Sequence, residues 1–289
     1  MYKLFLAALI YFSLNFINGQ NQNLCGYSTN QKTYDGSDET KILGGKLSNP
    51  LDWPFVVSIS GENGACTGTI IGEKWILSAT HCKRMGTPIT VNVNGEKYKS
   101  EKIVTTDWDV ETNNDDIMLI KIKKPLKYSR RVLPVCLFQN VTAKTGDIAV
   151  VTGFGVRFDK ITDADYTQRN ILNPGFHLNF KNNTSLYETP LTIQDMSYCN
   201  ITSSEAKDLI KTRICAGGKM QGTTEGDSGG PLLLIRNNRW IQFGITSYGF
   251  YTPAEKNDTT TIFDRGVYTR VSAYCKWIET NTLGEVKCQ

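Results

Sequence analysis

The feature that most constrains the fold of this 289-residue chain is a succession of short apolar or alternating segments between turn residues, which begins at Ile42. The segments are 55–60, 69–78, 89–93, 117–122, 148–153, 231–235, 240–247 and 266–271. Runs of this length between turn signals predict strands, and many short strands at such spacing indicate an all-β sandwich or barrel. Helical character is confined to 203–211 and 274–282, and the second is expected to dock the C-terminus.

The first 41 residues differ from the rest of the chain in their pattern of apolar and polar residues. Residues 1–19 combine a basic residue, the apolar run 4–17 and a small final residue, which predicts a signal peptide and therefore a secreted protein. The run is shorter than the roughly 20 residues that cross a bilayer, and a retained N-terminal anchor is the alternative. Residues 20–41 are polar and end at Lys41, so they are predicted to be a propeptide that precedes a domain of residues 42–289.

Cysteines, sequons and charge all fit an extracellular protein. Eight cysteines behind an export signal indicate an oxidising compartment and four disulfides, although the sequence alone leaves ~105 pairings open. Five Asn-X-Ser/Thr sequons predict a glycosylated surface, at Asn140, Asn182, Asn183, Asn200 and Asn257. The net charge of +4 is mild, the basic residues are scattered and no later segment could span a membrane. Neither nucleic acid nor a membrane is therefore expected as a partner.

A nucleophile motif stands at residues 226–231, which read Gly-Asp-Ser-Gly-Gly-Pro. With average residue usage, these six residues in this order occur roughly once in 10⁷ windows. A serine hydroxyl is a poor nucleophile near neutral pH and needs an adjacent base. An imidazole suits that role because its pKa lies close to the working pH. Ser228 is therefore a candidate nucleophile whose partners must be found elsewhere in the chain.

The chain offers two histidines and two adjacent carboxylates for the remaining roles. His177 lies in a long polar segment without a motif around it, whereas His81 follows the apolar run 75–78 and precedes a cysteine. That setting would fix His81 at the end of a strand, so it is the predicted base. A carboxylate must then hold the imidazole in the productive tautomer, and Asp115 and Asp116 are both candidates.

These residues follow the chain order His, Asp, Ser, and residues 41–45 upstream read Lys-Ile-Leu-Gly-Gly. In these motifs the chain resembles the secreted trypsin-like serine proteases of the chymotrypsin fold, over about residues 25–276. The resemblance implies two six-stranded antiparallel β-barrels packed together, with the active site between them, and a C-terminal helix. It also implies a serine endopeptidase that acts on protein or peptide substrates without a cofactor or a metal.

The resemblance assigns each catalytic role to one residue. Ser228 would be the nucleophile and His81 the general base and then acid. Asp116 directly precedes the apolar strand, as the family's aspartate does, and would orient the imidazole. The peptide N–H groups of Gly226 and Ser228 would form the oxyanion hole, a contact worth about 3–4 kcal/mol. The alternative is a catalytically silent homologue that acts as a binding protein. An α/β-hydrolase esterase is excluded because its serine comes first in chain order.

The resemblance also implies a zymogen. Cleavage after Lys41 would free the α-amino group of Ile42, and the new ammonium would turn inward to pair with Asp227. A buried ion pair needs both partners, because one charge left alone costs several kcal/mol. The lysine at 41 implies an activating protease of trypsin-like preference, and protein inhibitors are expected as further partners.

The disulfide pattern follows from the same resemblance. Relatives close the loop before the histidine and bridge a second loop beside the pocket, and a propeptide cysteine bonds their catalytic domain. The implied pairs are Cys66–Cys82, Cys199–Cys215 and Cys25–Cys136, and the remaining Cys275 and Cys288 are expected to pair across the C-terminal helix. The cleaved propeptide would then stay attached.

The specificity pocket is placed by the resemblance as well. Gly222 stands at the floor, where an aspartate would favour Lys or Arg, and Gly249 and Gly266 leave room at the walls. An open, uncharged pocket is expected to favour large apolar or aromatic residues, with smaller ones as the alternative. Asp264 and Arg265 lie near enough to reshape it. The other predicted lining residues are Thr223, Ser247 and Tyr248.

The chain departs from the family pattern at a bridge and in two loops. Thr224 stands where relatives have a cysteine, and no cysteine in 249–262 could partner it, so a more mobile pocket wall is expected. The segment 156–198 is long and polar and is predicted to be a loop. The interval from His81 to Asp116 is short and lacks an acidic cluster, so no calcium site is expected.

Overall fold

The computed structural model of the protein describes residues 24–29, 34, 45–109, 112, 114–156, 185–202, 207–253 and 262–289. The strands are β1 (Lys46–Leu47), β2 (Val56–Ser60), β3 (Ala65–Ile70), β4 (Trp75–Ser78), β5 (Thr90–Val93), β6 (Glu96–Thr105), β7 (Met118–Ile122), β8 (Ile148–Gly153), β9 (Tyr187–Gln194), β10 (Arg213–Gly217), β11 (Pro231–Arg236), β12 (Arg239–Pro253) and β13 (Ile262–Arg270). Helix α1 (Cys275–Asn281) follows a 3₁₀ turn at Val271–Tyr274, and other 3₁₀ turns span Pro50–Asp52, Thr80–Met85 and Met196–Cys199.

The first barrel is a closed antiparallel sheet of strand order β2–β3–β4–β7–β6–β5. It closes where Ser58 of β2 pairs with Asn92 of β5. Side chains alternate along each strand, so β2 buries Val57 and Ile59 inside the barrel and exposes Ser60. Closure leaves no strand edge unpaired.

The second barrel has the order β8–β9–β10–β13–β12–β11 and closes where β11 pairs with β8. Strand β1 adds to the side of β9, where Lys46 pairs with Glu188. The interior is filled by apolar residues of all six strands, among them Leu191, Ile214 and Phe243. Two closed six-stranded barrels and a short C-terminal helix confirm the predicted fold class.

The C-terminal segment packs on the first barrel. Ile278 of α1 is fully buried in the core that also contains Trp75 of β4. The indole N–H of Trp75 donates a hydrogen bond of 3.0 Å to the Glu285 carboxylate. The helix predicted at 274–282 is therefore present with slightly different ends, and the described part of the helix predicted at 203–211 is helical at 207–209.

Four strands were not predicted, and one predicted strand is two. Residues 69–78 divide into the end of β3 and all of β4, because the N–H of Ile71 bonds the carbonyl of Trp75 in a tight turn. Strand β9 lies inside the predicted loop 156–198, which is therefore wrong for residues 187–194. Strands β1, β6 and β10 carry few apolar alternations, and β6 is largely exposed.

Four disulfides join Cys25 to Cys136, Cys66 to Cys82, Cys199 to Cys215 and Cys275 to Cys288, which are the three pairs that the resemblance implied and the expected remaining pair. In the part of the chain that the structure describes, no helix is both long and apolar enough to cross a bilayer. Several predicted features lie outside the described residues, namely the leader 1–19, Lys41, Ile42, His177, Asn182, Asn183 and Asn257.

Candidate active site

His81 is held at the end of strand β4 in the 3₁₀ turn Thr80–Met85. The Cys66–Cys82 disulfide fastens this turn to β3. The backbone N–H of His81 donates to Asp116 Oδ1 at 2.9 Å, and its ring Nδ1 lies 2.7 Å from Asp116 Oδ2. The Nδ1 contact orients the imidazole and leaves Nε2 on the opposite side of the ring, while the backbone contact holds the carboxyl group in place.

Asp116 is fully buried at the start of β7. The Ser247 hydroxyl donates to Asp116 Oδ2 at 2.6 Å, and the Thr269 hydroxyl donates to the Asp116 carbonyl at 2.9 Å. Burial alone would raise the pKa of Asp116, but the hydrogen bond and charge of His81, together with Ser247, hold that pKa below its ordinary value. Asp116 is therefore ionised near neutral pH. Asp115, the other candidate, instead accepts a hydrogen bond from the Tyr274 hydroxyl.

Ser228 lies in a tight turn between the barrels. Gly226 and Gly229 flank it with φ of 96° and 78°, values that favour glycine. The Ser228 carbonyl accepts a hydrogen bond of 2.9 Å from the N–H of Thr67, and Cys82 Sγ lies 3.6 Å from the same oxygen. The turn is thus seated against the segment that carries His81.

Two further features of this turn bear on its chemistry. Within the described residues no hydrogen bond joins the Ser228 hydroxyl to the His81 ring, and such contacts often tighten only when substrate is bound. No described residue accepts a hydrogen bond from the peptide N–H of Gly226 or Ser228. Both donors are thus available to a substrate oxygen.

Asp227 points away from this turn into the second barrel. Its carboxylate accepts hydrogen bonds of 2.8 Å from the N–H groups of Gly155 and Thr224, and another of 3.1 Å from the Thr224 hydroxyl. Burial of the carboxyl group raises the pKa of Asp227, and these three donors offset only part of that effect. A cavity of about 40 Å³ adjoins Asp227, and Gly45 and Glu188 are among the residues that line it.

The predicted pocket residues come together between β10, β12 and β13. Gly266 pairs with Gly249 on one side and with Ala216 on the other. Asp264, two residues before Gly266 on β13, is 1% exposed and lies against Gly222. Strand β13 thus brings an acidic side chain to the position where the glycine at 222 had predicted an uncharged floor.

Hydrogen bonds occupy the region where relatives have the disulfide that this chain lacks. The Tyr251 hydroxyl of β12 donates to the carbonyl of Thr223, and the Thr224 hydroxyl donates to the carbonyl of Val156 at 2.7 Å. These contacts tie the residues before the nucleophile to a pocket-wall strand and to the end of the segment that follows β8.

Arg213 is a buried residue of the site that sequence reasoning missed. Its guanidinium donates to the Tyr248 hydroxyl at 3.0 Å and to Asn114 Oδ1 at 2.6 Å, and it also contacts the Thr112 carbonyl. It thereby links β10 and the pocket wall to the loop before Asp116. An arginine at the start of an unpredicted strand gave no signal of this role.

The fold and this site define a class, the serine proteases built from two β-barrels. Residues 42–278 match the sequence model of the family described as Trypsin, and the chain belongs to that family, which confirms the predicted resemblance. Vitamin K-dependent protein C of Rattus norvegicus is 26% identical over 261 residues, which cover 83% of this chain and 51% of the relative. The Mus musculus protein of the same name is 26% identical over 262 residues, which cover 84% and 52%. The chain spans about half the length of these curated relatives.

Proposed function

We propose that this chain is the secreted precursor of a serine endopeptidase, which becomes active after cleavage at Lys41. The observation that carries the proposal is the buried, ionised Asp116 that holds His81 beside the Ser228 turn. The triad spans both barrels, since His81 and Asp116 come from the first and Ser228 from the second. Membership of the Trypsin family supports the same reaction class.

In the proposed reaction His81 Nε2 takes the proton of the Ser228 hydroxyl as its oxygen attacks the scissile carbonyl. The peptide N–H groups of Gly226 and Ser228 stabilise the oxyanion. His81 then gives the proton to the leaving amine, and the peptide C–N bond breaks to leave an acyl-enzyme. Water repeats the sequence, so that the acid product and the free serine are released. Asp116 stabilises the imidazolium in each half.

Activation is proposed to run through Asp227. Gly45 lines the cavity beside Asp227 and lies three residues after Ile42, so the new N-terminus could reach about 10 Å from Gly45. An ammonium placed there would pair with a carboxyl group whose pKa is raised in the precursor. The pair would lower that pKa and order the turn that carries Gly226 and Ser228.

The surface and the attached propeptide are consistent with an extracellular enzyme. Cys25 bonds Cys136, so a chain cut after Lys41 would keep its propeptide. The two sequon asparagines within the described residues, Asn140 and Asn200, are both exposed and available for glycosylation. Protein substrates, a trypsin-like activator and protein inhibitors are the proposed partners.

The test is to express the full chain in a secreting eukaryotic host, cleave it after Lys41 and label it with a fluorophosphonate. Edman sequencing that begins at Ile42 verifies the cut. We expect labelling of cleaved protein only, none of Ser228→Ala, and a roughly 10⁴-fold lower kcat for Asp116→Asn. Cleaved, folded protein that stays unlabelled would contradict the proposal and favour a catalytically silent binding homologue.

A further inference from the structure

We propose that Asp264 is the specificity-determining residue of this enzyme and that its carboxylate selects a cationic substrate residue, lysine or arginine. The substrate residue meant is the one whose carbonyl carbon Ser228 attacks. The inference rests on the proposed endopeptidase function. It replaces the apolar preference expected from the glycine at 222.

Strand periodicity turns Asp264 toward the residues that are predicted to line the pocket. Asp264, Gly266 and Tyr268 occupy alternate positions of β13 and therefore face the same side. Tyr268 is fully buried, so this side faces the barrel interior. A Cβ built on Gly222 would lie 2.2 Å from Asp264 Cγ, so the carboxyl group occupies the space of a side chain at 222. The acid that the sequence lacks at the pocket floor is thus delivered by another strand.

The Asp264 carboxyl group is only partly satisfied. The N–H of Thr223 donates toward it, but Asp264 Oδ2 is buried without a hydrogen-bond partner in the described part of the chain. The residue is 1% exposed. Buried charged groups are normally paired, so a carboxyl group left this way in a pocket calls for a cation from outside.

The neighbouring cation, Arg265, does not pair with Asp264. The Arg265 guanidinium lies 4.6 Å from the Tyr198 ring centroid, and its Nε donates to the Thr252 hydroxyl at 2.9 Å. It therefore faces the outer side of β13, as expected for the residue next to an inward one. Among the described residues, none of the ion pairs found includes Asp264.

The groups that face Asp264 are acidic or neutral. Within the described residues they are the Tyr268 hydroxyl on its own strand, Tyr251 opposite it on β12, Tyr198, and Asp227 and Thr223 on the segment before the nucleophile. Burial, and then repulsion by Asp227, raise the pKa of Asp264 well above its ordinary value. Ionisation of Asp264 therefore costs more without a cation beside it, and a bound cation would offset that cost as the carboxyl proton leaves to solvent. Binding of the cation should strengthen as pH rises.

The experiment uses the full chain cleaved after Lys41, with benzamidine as the cationic probe and matched peptide substrates that differ only in Lys, Arg or Phe. We expect micromolar benzamidine binding that tightens with pH, and Lys or Arg substrates cleaved at least 100-fold faster than Phe. Asp264→Asn should lose roughly 100-fold in benzamidine affinity and keep or gain activity on Phe. The matched control is Asp208→Asn, because this exposed acid forms a surface ion pair with Lys211.

Fluorophosphonate labelling tests the proposed endopeptidase activity separately from the proposed preference for Lys or Arg, because the reagent carries no basic side chain. If Ser228 is labelled but Phe peptides are preferred and Asp264→Asn leaves benzamidine binding unchanged, the inference is overturned and the endopeptidase stands. If Ser228 is not labelled, both fall. Should Asp264→Asn fail to fold, the wild-type protein decides alone, because Phe peptides cleaved faster than Lys and Arg peptides would contradict an acidic receptor.

Discussion

Three donors converge on the Asp116 carboxyl group, two from His81 and one from Ser247. A buried carboxylate is costly unless it is hydrogen-bonded, and these contacts lower the pKa of Asp116 despite its burial. The consequence is a fixed negative charge beneath the imidazole. That charge favours the imidazolium that forms when His81 accepts a proton.

Replacement of Ser247 by alanine tests this arrangement. A hydrogen bond to a charged group contributes about 1.5–3 kcal/mol, so we expect kcat to fall roughly 10- to 100-fold with KM changed less than about threefold. The pKa of Asp116 should rise toward its unfolded value, so the part of the stability that is lost on acidification should be smaller than in the wild type. Steady-state kinetics and acid denaturation measure both effects. Ser60→Ala, at an exposed strand end, is the control, and an unchanged kcat in Ser247→Ala would refute the role.

Asp227→Asn should act in opposite senses before and after cleavage. In the uncleaved chain the pKa of Asp227 is raised, so its contribution to stability is full below pH ~4 and is lost as pH rises through the raised value. The deficit of the variant precursor should therefore shrink as pH rises. In the cleaved protein an ion pair to Ile42 would lower the pKa, so the deficit should grow. The free energy of unfolding, measured with denaturant at pH 5 and 7.5, tests both expectations. A deficit that changes with pH in the same direction in the uncleaved and cleaved protein would count against an ion pair between Asp227 and Ile42.

At the scale of the strands, register decides which side chains reach the site. Sequence motifs predicted Ser228, His81 and Asp116, because local patterns mark them and because Asp116 abuts an apolar strand. Asp264 could not be placed with equal ease, since the predicted strand began at 266 whereas β13 begins at Ile262. The register of β13 against β12, in which Gly249 pairs with Gly266, and the alternation of side chains along β13 together place Asp264 on the same face as Gly266.

The unpredicted strands have physical reasons of the same kind. Strand β9 contains Pro190, which reads as a loop signal, yet it pairs with Val150 of β8 inside the barrel. Strand β6 is polar because much of it faces solvent, so it lacks the apolar alternation of a half-buried strand. Barrel closure supplies the pairing that local sequence does not encode.

Tyr251→Phe tests whether strand β12 depends on its contact with Thr223. The ring is retained and one hydrogen bond is lost, which costs about 1 kcal/mol. We expect roughly fivefold weaker binding of a small pocket ligand such as benzamidine, with little change in labelling of Ser228. Tyr27→Phe, which removes an exposed hydroxyl that contacts Arg239, is the control. Equal affinities in both variants would show that the pocket wall holds without this contact.

At the scale of the whole molecule, Thr67 of the first barrel makes several hydrogen bonds to the second. Its N–H bonds the Ser228 carbonyl at 2.9 Å, its hydroxyl donates to the Gly226 carbonyl at 2.9 Å, and the same hydroxyl accepts from the N–H of Phe154 at 3.1 Å. One residue of the first barrel thus seats both the nucleophile turn and the end of β8. The cleft geometry depends on this junction.

The Cys25–Cys136 disulfide spans 111 residues and joins the segment proposed to be a propeptide to the rest of the protein. The double variant Cys25→Ser/Cys136→Ser should lose roughly 3–5 kcal/mol of unfolding free energy by the chain-entropy estimate. After cleavage its propeptide should separate on a non-reducing gel, whereas the wild-type propeptide should separate only on a reducing gel. Denaturant unfolding and electrophoresis check the two effects. A propeptide that stays bound to the cleaved variant would mean that contacts such as that of Tyr34 with Glu188 suffice.

Asp227 and Asp264 lie close enough for the charge of one to affect the ionisation of the other. Binding of a cation at Asp264 and insertion of the Ile42 ammonium at Asp227 should therefore influence each other. Each carboxyl group raises the cost of ionising the other, so a cation bound at one lowers the cost of filling the other. By linkage, a basic ligand in the pocket must tighten insertion of the Ile42 ammonium by the same factor that insertion tightens the ligand. Benzamidine should accordingly slow carbamylation of the new N-terminus by cyanate. A basic substrate residue and the new N-terminus would then bind cooperatively to one pair of carboxyl groups.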